Sequence, residues 1–246
     1  MNAFSLNGRK ALITGANAGI GQAIAIAMAR AGADVVCAGR RSCAETVSAI
    51  TDAGGTASEI IVDFSDPMAG VSLFDGAGID ILVNNAGIIR RADSVDFTEE
   101  DWDAVMDVNV KAVFFTSQAF AKELLKQDRK GKIVNIASLL SFQGGIRVPS
   151  YTTSKHGVAG LTRILANEWT ARGINVNAIA PGYIATNNTQ ALRDDPDRSA
   201  AILDRIPAGR WGRPEDIAES AVYLAAPASD YVSGAILNVD GGWLAR

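Results

Sequence analysis

The sequence predicts a single-domain α/β fold: a doubly wound sheet of about seven parallel strands with helices on both faces. Three observations carry this. Short β-branched and aliphatic runs alternate with longer helical patterns along the whole chain. These runs are continuously apolar, as strands covered on both faces must be. No Pro- or Ser-rich linker and no internal repeat divides the 246 residues, so residues 1–246 read as one domain, a size that α/β domains reach.

The elements follow in order. "KALIT" at 10–14 reads as the first strand, and 19–32 as a helix rich in small and aliphatic residues, closed by Gly32. A strand at 34–38 and a helix at 43–55 come next. Strands at 58–63 and 80–84 precede helical patterns across 98–127. Then come a strand at 131–137, a helix at about 150–172, a strand at 174–180, a helix at 214–226 and a last strand at 235–240. Parallel strands joined this way need right-handed crossovers. The segment 184–212 departs from the pattern. It is polar from Thr186 onward and too long for an ordinary connection, so it is expected to carry a short helix and to cover a substrate.

Composition removes several function classes. Hydrophobic residues make up 48% and charged residues 20%, with a formal net charge of −4 and no basic tract. That argues against a nucleic-acid partner or an acidic membrane surface. No apolar run is long enough to cross a bilayer, and residues 1–15 lack the pattern of a signal peptide. Cys37 and Cys43 read as free thiols in a reducing compartment, and a single histidine cannot build a histidine metal site. The expectation is a cytoplasmic, soluble protein without a metal site.

"TGANAGIG" at 14–21 follows the first strand and opens the first helix. Its Gly15, Gly19 and Gly21 permit a tight turn whose backbone N–H groups approach an anion at a helix N-terminus, the arrangement of a Rossmann-type dinucleotide site. The second strand ends in Gly39 and Arg40 where an acidic residue would hold ribose hydroxyls. Arg40 is therefore either a partner for the 2′-phosphate of NADP or a solvated surface arginine. Tyr151 and Lys155 stand four residues apart, one helical turn, near a helix start marked by Pro149 and Ser150. A cation beside the phenol favours its ionised form and would make it a proton carrier near neutral pH. His156 points about 100° away from Lys155 around the helix and is expected to be a packing or surface residue.

The glycine spacing G-x-x-x-G-x-G, "NNAG" at 84–87, Asn109, Ser138, Tyr151, Lys155 and "PG" at 181–182, all in order, resemble the short-chain dehydrogenase/reductase family over essentially the whole chain. The resemblance implies an NAD(P)-dependent oxidoreductase. Its catalytic set would be Asn109, Ser138, Tyr151 and Lys155, with Ser138 holding the substrate oxygen and Asn109 holding a water on a proton path to the lysine. Its cofactor set would be Gly15, Asn17, Gly19, Ile20, Gly21, Arg40, Asp63, Phe64, Asn85, Ala86, Gly87, Tyr151, Lys155, Pro181, Gly182, Ile184 and Thr186.

Several stretches are similar to family members that act on keto-deoxy sugar acids, which implies NAD, whereas Arg40 suggests NADP; both stay open. For such a substrate Ser138, Gln143, Arg147, Tyr151, Asn187 and Asn188 are the expected contacts, a guanidinium holding the carboxylate. Arg90 and Arg91, after "NNAG", are further candidates. A 3-ketoacyl thioester is the rival substrate, and a non-catalytic dinucleotide sensor the rival class. Residues 64–79 are short beside relatives and predict an open adenine end. Family members form homotetramers. Small residues Gly157, Ala159 and Gly160 would allow close subunit approach, and Trp243 and Leu244 are expected at an exposed docking end.

Overall fold

The computed structural model describes residues 2–246; Met1 lies outside the described residues. Seven parallel strands form one sheet: β1 Lys10–Thr14, β2 Asp34–Gly39, β3 Ala57–Ile61, β4 Ile81–Asn84, β5 Gly131–Ile136, β6 Ile174–Pro181 and β7 Ile236–Val239, in the order β3-β2-β1-β4-β5-β6-β7. The order reverses between β1 and β4, so the chain leaves these strands in opposite directions. A crevice opens at their C-terminal ends, where doubly wound folds bind ligands. Ala11 to Ile13 of β1 register against Ile81 to Val83 of β4, which brings the turn after Thr14 beside the turn after Asn84.

Helices cover both faces. On one, α1 (Gly19–Arg30) and α8 (Pro214–Ala225) bury Ile24, Met28, Ile217 and Ala221 against Ile13, Val35 and Val134. The helix α2 (Ala44–Asp52) extends this side and buries Ile50. On the other face α4 (Ala112–Lys126) and α5 (Pro149–Trp169) bury Phe120, Leu124 and Leu165 against Leu82, Ile133 and Val176.

Several boundaries differ from the sequence expectation, three of them near the site or the chain beside it. The 98–127 pattern divides into α3 (Glu99–Met106), a π-helical turn (Asp107–Lys111) and α4. The strand expected at 58–63 ends at Ile61, which leaves Asp63 beyond it. The helix expected to 172 ends at Trp169 and finishes in a 3-10 turn, stopped by Gly173 in the left-handed region (φ 87°). The short 64–79 segment holds only the 3-10 turn Val71–Phe74, whose Phe74 packs edge-on to Phe120 at 5.6 Å. With so little chain beside it, edge strand β3 leaves Ile61 59% exposed, and Met68 is 50% exposed.

The 184–212 segment carries two helices, α6 (Gln190–Arg193) and α7 (Pro196–Arg205). Its ends are tied by a bridge between Ile184 and Gly212. The chain end does not project. Trp243 is 4% exposed and packs within the chain, which corrects the expectation of an exposed docking end there. Gly157 likewise faces Val110 of the same chain. Among the described residues no helix is long and apolar enough to cross a membrane.

Candidate active site

The crevice at the sheet's switch point is a cleft of about 300 Å³. Gly15, Asn17, Gly19, Ile20 and Gly21 form one wall, and Asn85, Ala86 and Gly87 adjoin them. Ser138, Tyr151 and Lys155 lie on the other side, with Pro181, Gly182, Ile184, Thr186, Asn187 and Asn188 closing it.

Buried hydrogen bonds fix the nucleotide wall. Thr14 Oγ1 accepts from the backbone N–H groups of Asn85 and Ala86, both at 2.9 Å. The Asn85 amide donates back to the carbonyls of Thr14 (2.9 Å) and Gly15 (3.1 Å). A Cβ on Gly21 would lie 2.3 Å from the Gly15 carbonyl oxygen and 2.4 Å from Asn85 Nδ2, so only glycine lets α1 start this close to the loop. The first turn of α1 has no side-chain cap and no acidic residue. Its free N–H groups therefore suit an anion. This cradle fits a dinucleotide pyrophosphate, held by residues 15–21 and 85–87.

At the adenosine end two adjacent arginines, Arg40 and Arg41, are placed differently. Arg41, not Arg40, lines the cleft. The loop bearing it is pinned from β3: Glu59 accepts from Ser42 Oγ (3.0 Å) and from Cys43 N (2.6 Å). Asp63 and Phe64 do not line the cleft. Asp63 turns onto Ser65 N at 3.0 Å, and that bond, with Arg40 nearby, holds its carboxyl below the usual range. Phe64 is buried at 6% exposure in the core beside Thr116.

The catalytic side is built on β5 and α5. Ser138 follows β5 in an extended conformation, and its Oγ accepts from Leu140 N at 3.1 Å. Pro149 starts α5, so Tyr151 and Lys155 project from its first turns toward the same cleft. Lys155 Nζ donates to the Ile136 carbonyl at 2.7 Å and lies 5.5 Å from the centre of the Tyr151 ring.

The charges differ from the sequence expectation of a phenol drawn down by an ammonium. Burial pushes the Tyr151 phenol up, while a hydrogen bond to Ser138 and the Arg91 guanidinium pull it down. Burial also pushes Lys155 down to about 8. Burial thus acts on both groups, raising the phenol and lowering the ammonium.

Asn109 lies outside the cleft lining. Its Nδ2 donates to the Ile88 carbonyl (2.9 Å) and Ser154 Oγ (3.1 Å), and its Oδ1 accepts from Ile88 N (2.9 Å). Both amide hydrogens are thus engaged by protein, and the side chain ties the loop after β4 to α5. A buried chain continues the tie: Asn84 Nδ2 donates to Asn135 Oδ1 (2.8 Å), and Asn135 Nδ2 to Thr162 Oγ1 (3.0 Å). His156 is exposed, with Nδ1 against the Thr152 carbonyl, and takes no part in the cleft.

Two expected substrate contacts point elsewhere. Arg147 adopts φ 64° and its guanidinium pairs with Asp93 at 3.0 Å. The Gln143 carbonyl oxygen faces the Trp243 indole N–H at 3.4 Å. Arg90 pairs with Asp101 at 3.0 Å. The guanidinium near Tyr151 is that of Arg91, which donates to the Asn188 carbonyl at 3.1 Å. No spacing rule separates Arg91 from Arg90. What distinguishes them is the partner each finds, a carboxylate for Arg90 and Arg147 and a backbone carbonyl for Arg91, and that comes from tertiary structure.

A family model described as enoyl-(acyl carrier protein) reductase matches residues 15–244. The chain belongs to the short-chain dehydrogenase/reductase family. It is 56% identical to 2-dehydro-3-deoxy-D-gluconate 5-dehydrogenase of Dickeya dadantii, covering 100% of this chain and 99% of that one. It is 54% identical to the protein of the same name in Bacillus subtilis, covering 100% and 98%. A crystal structure from Agrobacterium tumefaciens, assigned as a 2-deoxy-D-gluconate 3-dehydrogenase and holding NADP, is 71% identical, covers 100% of each chain and superposes with a TM-score of 0.99. As in the family, the dinucleotide is NAD(P).

Proposed function

We propose that the protein interconverts 2-dehydro-3-deoxy-D-gluconate and its 2,5-diketo form, using NADP(H) in preference to NAD(H). The observation that carries this reading is the convergence on one cleft of Ser138, Tyr151 and Lys155 with Arg91 beside them. Full-length likeness to enzymes of that name supports it.

The nicotinamide, when bound, supplies the hydride acceptor in oxidation and the hydride donor in reduction. The chain's own groups handle the proton. Ser138 Oγ is oriented by Leu140 N, which leaves its hydrogen for the substrate oxygen at C5. In oxidation the Tyr151 phenol first yields its proton to neutral Lys155, and the phenolate then takes the C5 hydroxyl proton as hydride leaves C5; in reduction the phenol gives its proton to the oxygen at C5 and regains one from the Lys155 ammonium. Lys155, with a pKa pushed to about 8, accepts or supplies the charge that this transfer requires. Asn109 is a positioning residue that keeps α5 registered to the loop after β4. Arg91 holds the substrate carboxylate, Asn187 and Asn188 face its hydroxyls, and the 184–212 segment covers it. Arg41 takes the 2′-phosphate of NADP, assisted by Glu59, which fixes its loop.

Buried free thiols at Cys37 and Cys43 suit a reducing cytoplasm, and burial pushes Cys37 up to about 12, which keeps it inert. Gly160, with open space before it, and the 48% exposed Ile164 lie on α5, a surface suited to a homotetramer. Sedimentation at micromolar concentration tests that assembly.

The test of the function is the initial rate with NADP⁺ and NAD⁺ on 2-dehydro-3-deoxy-D-gluconate, run beside 2-deoxy-D-gluconate and, in reduction, a 3-ketoacyl thioester. The reading requires turnover of the keto-deoxy acid in excess of both. Faster reduction of the thioester would move the protein to the activity named for the matching family model.

A further inference from the structure

Beyond the cleft, the chain end forms a second organised region. Gly241 and Gly242, both left-handed (φ 65° and 90°), turn the chain after β7 back beneath α7. A Cβ on Gly242 would stand 3.0 Å from the Pro207 ring, so this turn passes close under the covering segment. Trp243 then lies among Leu139, Ile202 and Ile206. Leu139 directly follows Ser138, Ile202 belongs to α7, and Ile206 follows α7. The Arg205 guanidinium sits 4.0 Å from the indole centre. Arg246 donates to the Asp204 carbonyl at 3.1 Å, and the Tyr183 ring lies 4.8 Å from the indole. One side chain thus touches the covering helix, the serine loop and the exit of β6.

We propose that Trp243 is a positioning residue: through it the covering helix α7 fixes the loop 138–143, and with it the Ser138 hydroxyl, against Tyr151. This rests on the proton-transfer role given to Ser138 above. The mechanism is steric. Ser138 Oγ is oriented by Leu140 N at 3.1 Å, and that bond depends on where Leu139 sits. Leu139 is 4% exposed and packs against the buried Trp243. Without the indole, Leu139 and Ile202 face a void. The helix and the serine loop can then move independently, because packing rather than hydrogen bonding joins them. The cation over the ring and the Arg246 tie hold α7 down on the indole.

The test uses the full-length Trp243→Ala and Trp243→Phe variants. The covering segment carries Arg193, Arg198, Arg205 and Arg210, all targets for trypsin. Trp243→Ala is expected to be cut there roughly tenfold faster than the parent protein, and Trp243→Phe within about twofold of it, because cleavage follows local opening. In reduction at saturating NADPH, kcat of Trp243→Ala falls roughly tenfold while the NADPH dissociation constant, read by fluorescence, stays within about twofold.

If Trp243→Ala does not fold, Arg205→Met supplies the test. It keeps the ring and removes the cation on it, and cleavage at Arg198 and Arg210 is expected to rise about threefold. Unchanged cleavage and kcat in the folded variant overturn the proposal, as does a loss of NADPH affinity in step with kcat. Trypsin cleavage needs no sugar acid, so an error in the substrate assignment leaves that result standing.

Discussion

On the nucleotide side of the cleft the backbone does the holding. Gly15, Gly19 and Gly21 shape the turn, Thr14 and Asn85 cross-link it, and the open N-terminus of α1 supplies the donors. On the other side the cleft is bounded by side chains on loops and on the segment after β6: Asn187 and Asn188 line it, Arg91 reaches the Asn188 carbonyl, and the loop after Ser138 packs on Trp243. The difference teaches where precision comes from. A backbone cradle is fixed by which residues lack a Cβ. A side-chain contact is fixed by which neighbour captures it, so two adjacent arginines can have unrelated fates.

Substitutions can break or sharpen that contrast. A large effect is expected at Ser138. Ser138→Ala should lower kcat by about 10³-fold with NADPH binding unchanged, measured by steady-state rates and fluorescence titration. Arg91→Met should raise KM for the sugar acid by about 10- to 100-fold, the loss of a charge-assisted pair, with little change in KM for the cofactor.

Lys155→Met should lower turnover about 100-fold yet raise the melting temperature at pH 7, since it removes a buried charge that burial disfavours, offset in part by the lost bond to the Ile136 carbonyl. The sign follows from proton counting. Between pH 8 and 10.5 the unfolded lysine keeps its proton and the folded one does not, so the parent protein gains stability as pH rises through that window. Thermal melts across it should converge for the two proteins. Arg41→Ser should weaken NADPH about tenfold and NADH hardly at all, as a fluorescence titration with each would read. Arg147→Met should change KM less than twofold, because its partner is Asp93 and not the substrate.

The strands and the glycine turn were legible because continuous apolar runs and a G-x-x-x-G-x-G spacing act locally. Tyr151 and Lys155 were legible because four residues make one turn of helix. The electrostatics between them were not, since burial acts on both groups and a sequence does not display burial. Asn109 was found by position, but its partners, Ile88 and Ser154, lie 21 and 45 residues away and could not be read locally. Arg40, Arg147 and Gln143 were reasonable by residue type. Arg41 lines the cleft in place of Arg40, while Asp93 and Trp243 engage the other two. Trp243 reads as a loose chain end until two left-handed glycines fold it under α7.

The central claim is that Tyr151 carries the proton while the nucleotide side binds cofactor independently of it. One sample of Tyr151→Phe decides it, with NADPH affinity and the hydride-transfer rate on the keto-deoxy acid measured side by side. The account predicts an unchanged dissociation constant and a rate lowered by about three orders of magnitude. A rate within tenfold of the parent protein would contradict it.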